Sequence, residues 1–292
     1  FLDDVLQQSE SFGKDGTGLP PFPAWGSAGG NGDWQVDPEI VGHTDIDNRL
    51  STSDLRSVPT LSLVLPWEDM FGPNGGIYIQ GEDVQKAVSV EQILPDGDTG
   101  FQIDASVEIV GGTSTNRWKS DKLSMRLKFT EAFGPTKLNH PIFGPEASDS
   151  LDTIVLDATL NFSWTHPSTE QTDFAKFIQD QHTADLHNAT GGFSPHAAYH
   201  HLYINGLYWG MYYVHERPDD SFAATYLGGN KEDYDVIKHN PGTVVSGSAS
   251  NYNAMLAVAR ENLADPTNYQ NLAEVLDIDA FIDYMIVNFY IG

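Results

Sequence analysis

The sequence predicts an α+β fold with two lobes, and three observations carry that prediction. Strand-like runs dominate residues 60–216, and helical periods dominate residues 219–291. Strands that precede helices instead of alternating with them argue against a doubly wound parallel sheet. Between two apolar-aromatic runs stands Asn205-Gly206, the strongest short signal for a β-hairpin, because both central residues of such a turn need φ > 0.

Residues 1–57 are rich in Gly, Pro, Asp and Ser, as in Gly16-Thr17-Gly18-Leu19-Pro20-Pro21, and read as a loop-rich lead-in. Residues 58–217 form the β-rich region, with strands expected at 60–65, 76–80, 87–93 and 100–110 and a turn at Pro95-Asp96-Gly97-Asp98. Residues 122–129 alternate strictly: Lys122, Ser124, Arg126 and Lys128 share one face, and Leu123, Met125, Leu127 and Phe129 share the other. Such a ribbon packs one side on a core and holds a row of cations on the other. A helix is expected over 172–188, stopped by Gly191-Gly192. The hairpin follows, with strands at 199–204 and 207–216. Residues 218–292 form the helical region, with helices over 219–227, 251–263, 269–276 and 278–291; Asp277 and Asp279 are candidate caps for the last.

Composition limits the function. With 40% hydrophobic and 11% aromatic residues the chain can bury a core, and no apolar run approaches the roughly 18 residues of a membrane span. Zero cysteines exclude disulfides, thiolate metal sites and cysteine nucleophiles. Forty-one acidic against 15 basic residues give a net charge of −26, which repels nucleic acid and anionic membranes. That charge suits either solubility in a salty medium or an acidic, Ca²⁺-binding surface. Arg117, Lys119, Lys122, Arg126, Lys128 and Lys137 place six of the 15 cations within 21 residues. Charge alone leaves two readings of this strip: an anion site, or a strand salt-bridged to acidic neighbours.

The usual NTPase, dinucleotide, zincin and hydrolase signatures are absent. Asp45-Ile46-Asp47-Asn48 lacks the Gly and distal Glu of a Ca²⁺ loop, and the adjacent His200 and His201 point to opposite faces of a strand. Trp34, Trp67, Trp118 and Trp164 raise a carbohydrate-binding reading, although scattered tryptophans more often serve cores or interfaces.

The run from His201 to Tyr212, followed by Glu216-Arg217-Pro218, resembles the core signature of CotH kinase family proteins, named for spore coat protein H. Further matching segments fall in order: Val58 to Val64, Phe71-Gly72-Pro73, Gly76-Ile77-Tyr78, Gly111-Gly112-Thr113-Ser114, Lys122 to Phe129, and Tyr234-Asp235-Val236-Ile237. The resemblance is to large secreted or envelope-attached bacterial proteins. It implies a kinase-like two-lobed domain: a mainly antiparallel N-terminal sheet with one packed helix, then a partial helical C-terminal lobe.

The resemblance also implies ATP and Mg²⁺ as cofactors of the full-length parent, phosphorylation of Ser or Thr on an extracytoplasmic protein partner, and an extracellular or envelope location. Neither nucleic acid binding nor direct membrane insertion is expected. Lys122 matches the family's phosphate-holding strand lysine in the pattern K-x-S-x-R-x-x-F, and Arg126 lies two pleats along the same face. Asp180 could hold a lysine from its helix, or be an exposed helix charge. Glu216 ends the hairpin and could sit near the nucleotide, or form a buried salt bridge. Three places where relatives carry arginine hold Val110, Asp157 and Gln179, which would weaken a phosphate site. In the family the catalytic base and the metal aspartate follow the helix at 278–291, so both are expected beyond Gly292 and the fragment is expected to be inert. The alternative to a kinase is a pseudokinase or acidic surface binding module.

Overall fold

Seven strands organise the first part of the chain: β1 (Thr60–Val64), β2 (Lys86–Ile93), β3 (Thr99–Ile109), β4 (Met125–Lys128), β5 (Thr153–Asp157), β6 (Ala197–Ile204) and β7 (Leu207–Glu216). The computed structural model describes residues 2–8, 24–25, 30–31, 36–72, 74–81, 83–115, 122–164, 166–238 and 243–291. Residues 9–23, 26–29 and 32–35 of the Gly/Pro-rich lead-in, Trp34 among them, lie outside the described residues, as do Pro73, Arg117, Trp118 and Lys119.

The strands close into a barrel in the order β6-β7-β5-β4-β3-β2-β1. Pairs β1–β2, β2–β3, β3–β4, β4–β5 and β6–β7 are antiparallel. Closure comes from β6, which runs parallel to β1 with His201 opposite Thr60 and Ile204 opposite Leu63. Alternation fills the interior: Leu61, Leu63, Val88, Val90, Val107, Met125, Leu127, Leu156, Leu202, Ile204 and Val214 are all buried in one core. Inside that core His200 meets Gln92 at 2.9 Å, and burial pushes the imidazole down to about 4. The next residue, His201, faces elsewhere and engages the Asp54 carbonyl and the Tyr208 hydroxyl.

This closed, mixed barrel in a sheet-rich α+β fold overturns the expectation of a kinase-like two-lobed domain with a mainly antiparallel N-terminal sheet and one packed helix. The reason is physical. Period-2 patterning shows which faces are apolar, but it does not show that a hairpin will fold back parallel onto a strand 141 residues earlier. A second correction concerns residues 76–80, expected as a strand. Two short helices, α1 (Trp67–Phe71) and α2 (Ile77–Gln80), stand there instead, between β1 and β2. Consecutive residues Ile77 and Tyr78 are both fully buried, which a strand facing solvent on one side does not allow.

The hairpin forms as its residues predict. Asn205 and Gly206 take φ of 51° and 83°. The Asn205 N–H donates to Leu63 at 2.8 Å, and its side-chain oxygen accepts from the Leu65 N–H at 3.0 Å. Asn205→Ala is therefore expected to lower stability by about 1–3 kcal/mol, combining left-handed strain with a lost hydrogen bond. Asn205→Gly should recover the conformational part only. Urea melts that rank the two variants equally would contradict this division.

The chain divides into two compact units, residues 1–177 with 197–215, and residues 178–196 with 216–292. The second unit holds α3 (Gln179–Ala189), α4 (Asp220–Leu227), α5 (Ser250–Ala259), α6 (Pro266–Ala273) and α7 (Ile278–Ile291). The helix expected over 172–188 is thus broken, with a separate short helix at Thr169–Asp173. Side-chain caps begin several of these helices: Asp219 accepts from Ser221 and Phe222, Asp265 from Thr267, and Asp277 from Ala280. Helices α3 and α7 meet through an edge-on His187–Tyr284 contact at 5.8 Å. Among the described residues no helix is long and apolar enough to cross a membrane.

Candidate functional site

The ribbon at 122–129 alternates as its sequence requires. Leu123, Met125, Leu127 and Phe129 are buried in the barrel core, and Ser124, Arg126 and Lys128 are only partly buried. Its outer face is not a free row of cations. Glu108 on β3 lies opposite Arg126 on β4 and is itself buried. One carboxylate oxygen accepts from the Arg126 Nε at 2.6 Å, pairs with its Nη2, and meets Lys128 Nζ at 2.9 Å. The other accepts from Gln85 at 3.1 Å. Burial pushes the Glu108 carboxyl up, but Lys128 and Arg126 together outweigh it and hold the group below its ordinary value. Of the two readings that charge left open, Arg126 and Lys128 take the salt-bridged one.

Lys122, three residues before β4, is set apart from that pairing. Its amine donates to the Met211 carbonyl at 2.6 Å and lies 4.4 Å from the centroid of the Tyr212 ring. The residue after it is gripped from both sides. Tyr78 Oη accepts from the Leu123 N–H at 3.1 Å, and Tyr212 Oη donates to the Leu123 carbonyl at 3.0 Å. Trp209 Nε1 donates to the same Tyr78 oxygen at 2.8 Å. Around this clamp Trp67, Phe71, Tyr78 and Trp209 form a chain of tilted and edge-on ring contacts between 4.7 and 5.5 Å.

Burial in this aromatic setting lowers the Lys122 amine from 10.5 to about 8, with the Asp157 carboxylate acting in the opposite direction. Asp157 ends β5 and is itself held, accepting from Ser124 Oγ at 3.2 Å and the Thr159 N–H at 2.6 Å. The Tyr212 hydroxyl is raised well above its ordinary value, chiefly by burial, and so stays protonated as the donor to Leu123.

The other two candidates belong to the second unit and are placed there separately. Asp180 is exposed in the first turn of α3. Glu216 is buried: one oxygen accepts from the His196 N–H and meets His196 Nδ1, both at 2.9 Å, and the other accepts from Tyr226 Oη at 2.7 Å. That arrangement ties Glu216 to His196 and to the last turn of α4. Asp45, the head of the weak Ca²⁺-like segment, caps a short turn by accepting from the Asp47 N–H and Asn48 side chain. Among the described residues no group of three or more His, Asp or Glu could hold a metal ion. Of the tryptophans raised for carbohydrate, Trp67 packs on the barrel core and Trp164 is exposed but stacked on Phe177.

Sequence reasoning did not assign Glu108, Tyr78, Trp209 or Tyr212. Glu108 was detectable as a lone acid in the otherwise apolar end of β3, opposite a strand with two cations. The aromatic residues were visible only as motif letters, because the two tyrosine hydroxyls act on the backbone of Leu123 and backbone partners leave no trace in residue type.

A family model for CotH kinase proteins matches residues 107–292, well over half of the chain. No curated protein matches it.

Proposed function

The chain belongs to the CotH kinase protein family, and from that premise we propose that it holds ATP for a full-length parent that transfers phosphate to Ser or Thr of extracytoplasmic proteins. Lys122 is the cation that meets the nucleotide phosphates. The supporting observation is its amine, held against the Met211 carbonyl and Tyr212 ring at the position matching the family's strand lysine. An ammonium withdrawn from bulk water binds phosphate more strongly than a solvated one. The fit is specific to Lys122, because Arg126 and Lys128 already share the charge of Glu108. When bound, Mg²⁺ would neutralise phosphate charge that Lys122 alone cannot balance. The chain's own part is to hold the amine protonated, keep it oriented and exclude water around it.

A binding module without phosphoryl transfer is the second reading, and Asp157 favours it. An anion stands beside Lys122 at a place where the resemblance leads to arginine, and it repels phosphate. Calorimetric titration of the full-length protein with ATP, with and without Mg²⁺, separates the two. Micromolar, Mg²⁺-dependent binding and labelled phosphate on a Ser/Thr acceptor are expected. No binding at millimolar Mg·ATP would sink the kinase reading and leave the binding module.

A further inference from the structure

We infer that Tyr212, Tyr78 and the bulged pair Trp209-Gly210 are positioning residues, a clamp that fixes where the Lys122 amine points. The inference rests on Lys122 being the phosphate-facing cation and adds the device that aims it.

Three independent features converge on the same side chain. The first is the register of the hairpin: Leu202 pairs with Gly210 but Tyr203 pairs with Tyr208, so Trp209 is an extra residue in β7. A bulge of this kind bends the strand and redirects the side chains next to it. The second is Gly210, at φ +102°, where a Cβ would stand 3.3 Å from Lys122 Nζ and 3.5 Å from its Cε. Both the backbone and the space beside the lysine therefore call for glycine. The third is the double grip on Leu123, whose N–H and carbonyl are taken by Tyr78 and Tyr212. Residue 123 has no freedom to rotate, so residue 122 leaves the backbone in one direction. Tyr212 has two separate roles: its hydroxyl ties down Leu123, and its ring receives the ammonium.

The test measures the titration midpoint of Lys122 by competitive acylation from pH 6 to 11, read by mass spectrometry. The ionisable group that acts on it is Asp157 from β5; the Tyr212 ring from β7 faces it, with Tyr78 from α2 hydrogen-bonded to Tyr212. Tyr212→Phe keeps the ring but releases the Leu123 carbonyl, and should move the midpoint by about half a unit. Tyr212→Leu removes the ring and admits water, and should move the midpoint toward that of a free lysine by about one unit or more. Mg·ATP affinity should fall roughly tenfold in Tyr212→Leu and less than about threefold in Tyr212→Phe.

A folded Tyr212→Leu protein with the wild-type midpoint overturns the clamp. Should that variant fail to fold, Gly210→Ala and Trp209→Phe, at less buried positions, take its place, and an unmoved midpoint in both is equally fatal. Mg·ATP affinity unaffected by Lys122→Met would defeat the nucleotide reading alone, since the midpoints still decide whether the clamp exists.

Discussion

Glu108→Ala is expected to destabilise the barrel by about 3 kcal/mol or more, since it leaves two cations facing a buried site without their shared carboxylate. The Glu108 side chain is only 4% exposed and that of Arg126 15%, so water replaces little of the lost pairing. Lys128, at 29%, can swing outward and sets the lower end of that range. For a unit of this size the loss corresponds to a fall in Tm of roughly 6–12 °C. Glu108→Leu combined with Arg126→Met should recover much of it, because apolar side chains of similar volume need no partner.

The pH dependence has a fixed sign. Burial raises the Glu108 carboxyl, yet Lys128 and Arg126 win and leave it below the ordinary 4.5. Its contribution is therefore present above the unfolded-state value and disappears as pH falls through the lower folded-state value. Glu108→Gln should flatten that acid limb of the stability curve. Thermal melts from pH 2.5 to 7 check both statements, and a Glu108→Ala protein within about 1 kcal/mol of wild type would show the ion-pair network to be ornamental.

The same three residues show what sequence could and could not reveal. Alternation from Leu123 to Phe129 is a local property, and it fixed the buried and exposed faces of that ribbon correctly. The Asn205-Gly206 turn is local too, and the hairpin register follows from it as far as the bulge at Trp209. Whether the cations of the ribbon would be free or paired was not local. It depended on β3 presenting Glu108 opposite Arg126, a matter of register between strands 16 residues apart. Barrel closure is the extreme case, since it requires β6 to lie parallel to β1. At residues 76–80 the difficulty was different: Ile77-Tyr78-Ile79 is too short an apolar run to separate strand from helix. In the site, Lys122 was legible through its motif, while the groups that hold it are a carbonyl, a ring face and a bulge.

Lys122 itself carries the second large expectation, a trade between stability and binding. Its amine falls from 10.5 to about 8, mainly through burial, so the folded state disfavours the charged form. Below the folded value both states hold the proton and the fold bears the whole penalty. Between the two values the unfolded chain binds more protons, so stability rises as pH climbs from about 8 toward 10.5. Lys122→Met removes the charge while roughly conserving volume, and should stabilise the barrel by about 1–2 kcal/mol at pH 7, with wild type catching up above pH 10.

Binding runs the other way. Phosphate requires the ammonium, which is about 90% formed at pH 7 and about 10% at pH 9, so wild-type Mg·ATP affinity should fall several-fold across that interval. Lys122→Met should lose about 30-fold or more at pH 7 and be indifferent to pH. At pH 8 wild type should take up about half a proton on binding, measurable by calorimetry in two buffers of different ionisation enthalpy. A bound phosphate favours the charged amine, and the proton it recruits has to come from solvent. A Lys122→Met protein that is both less stable than wild type and equally good at binding Mg·ATP would reduce this lysine to a structural tether between β4 and β7.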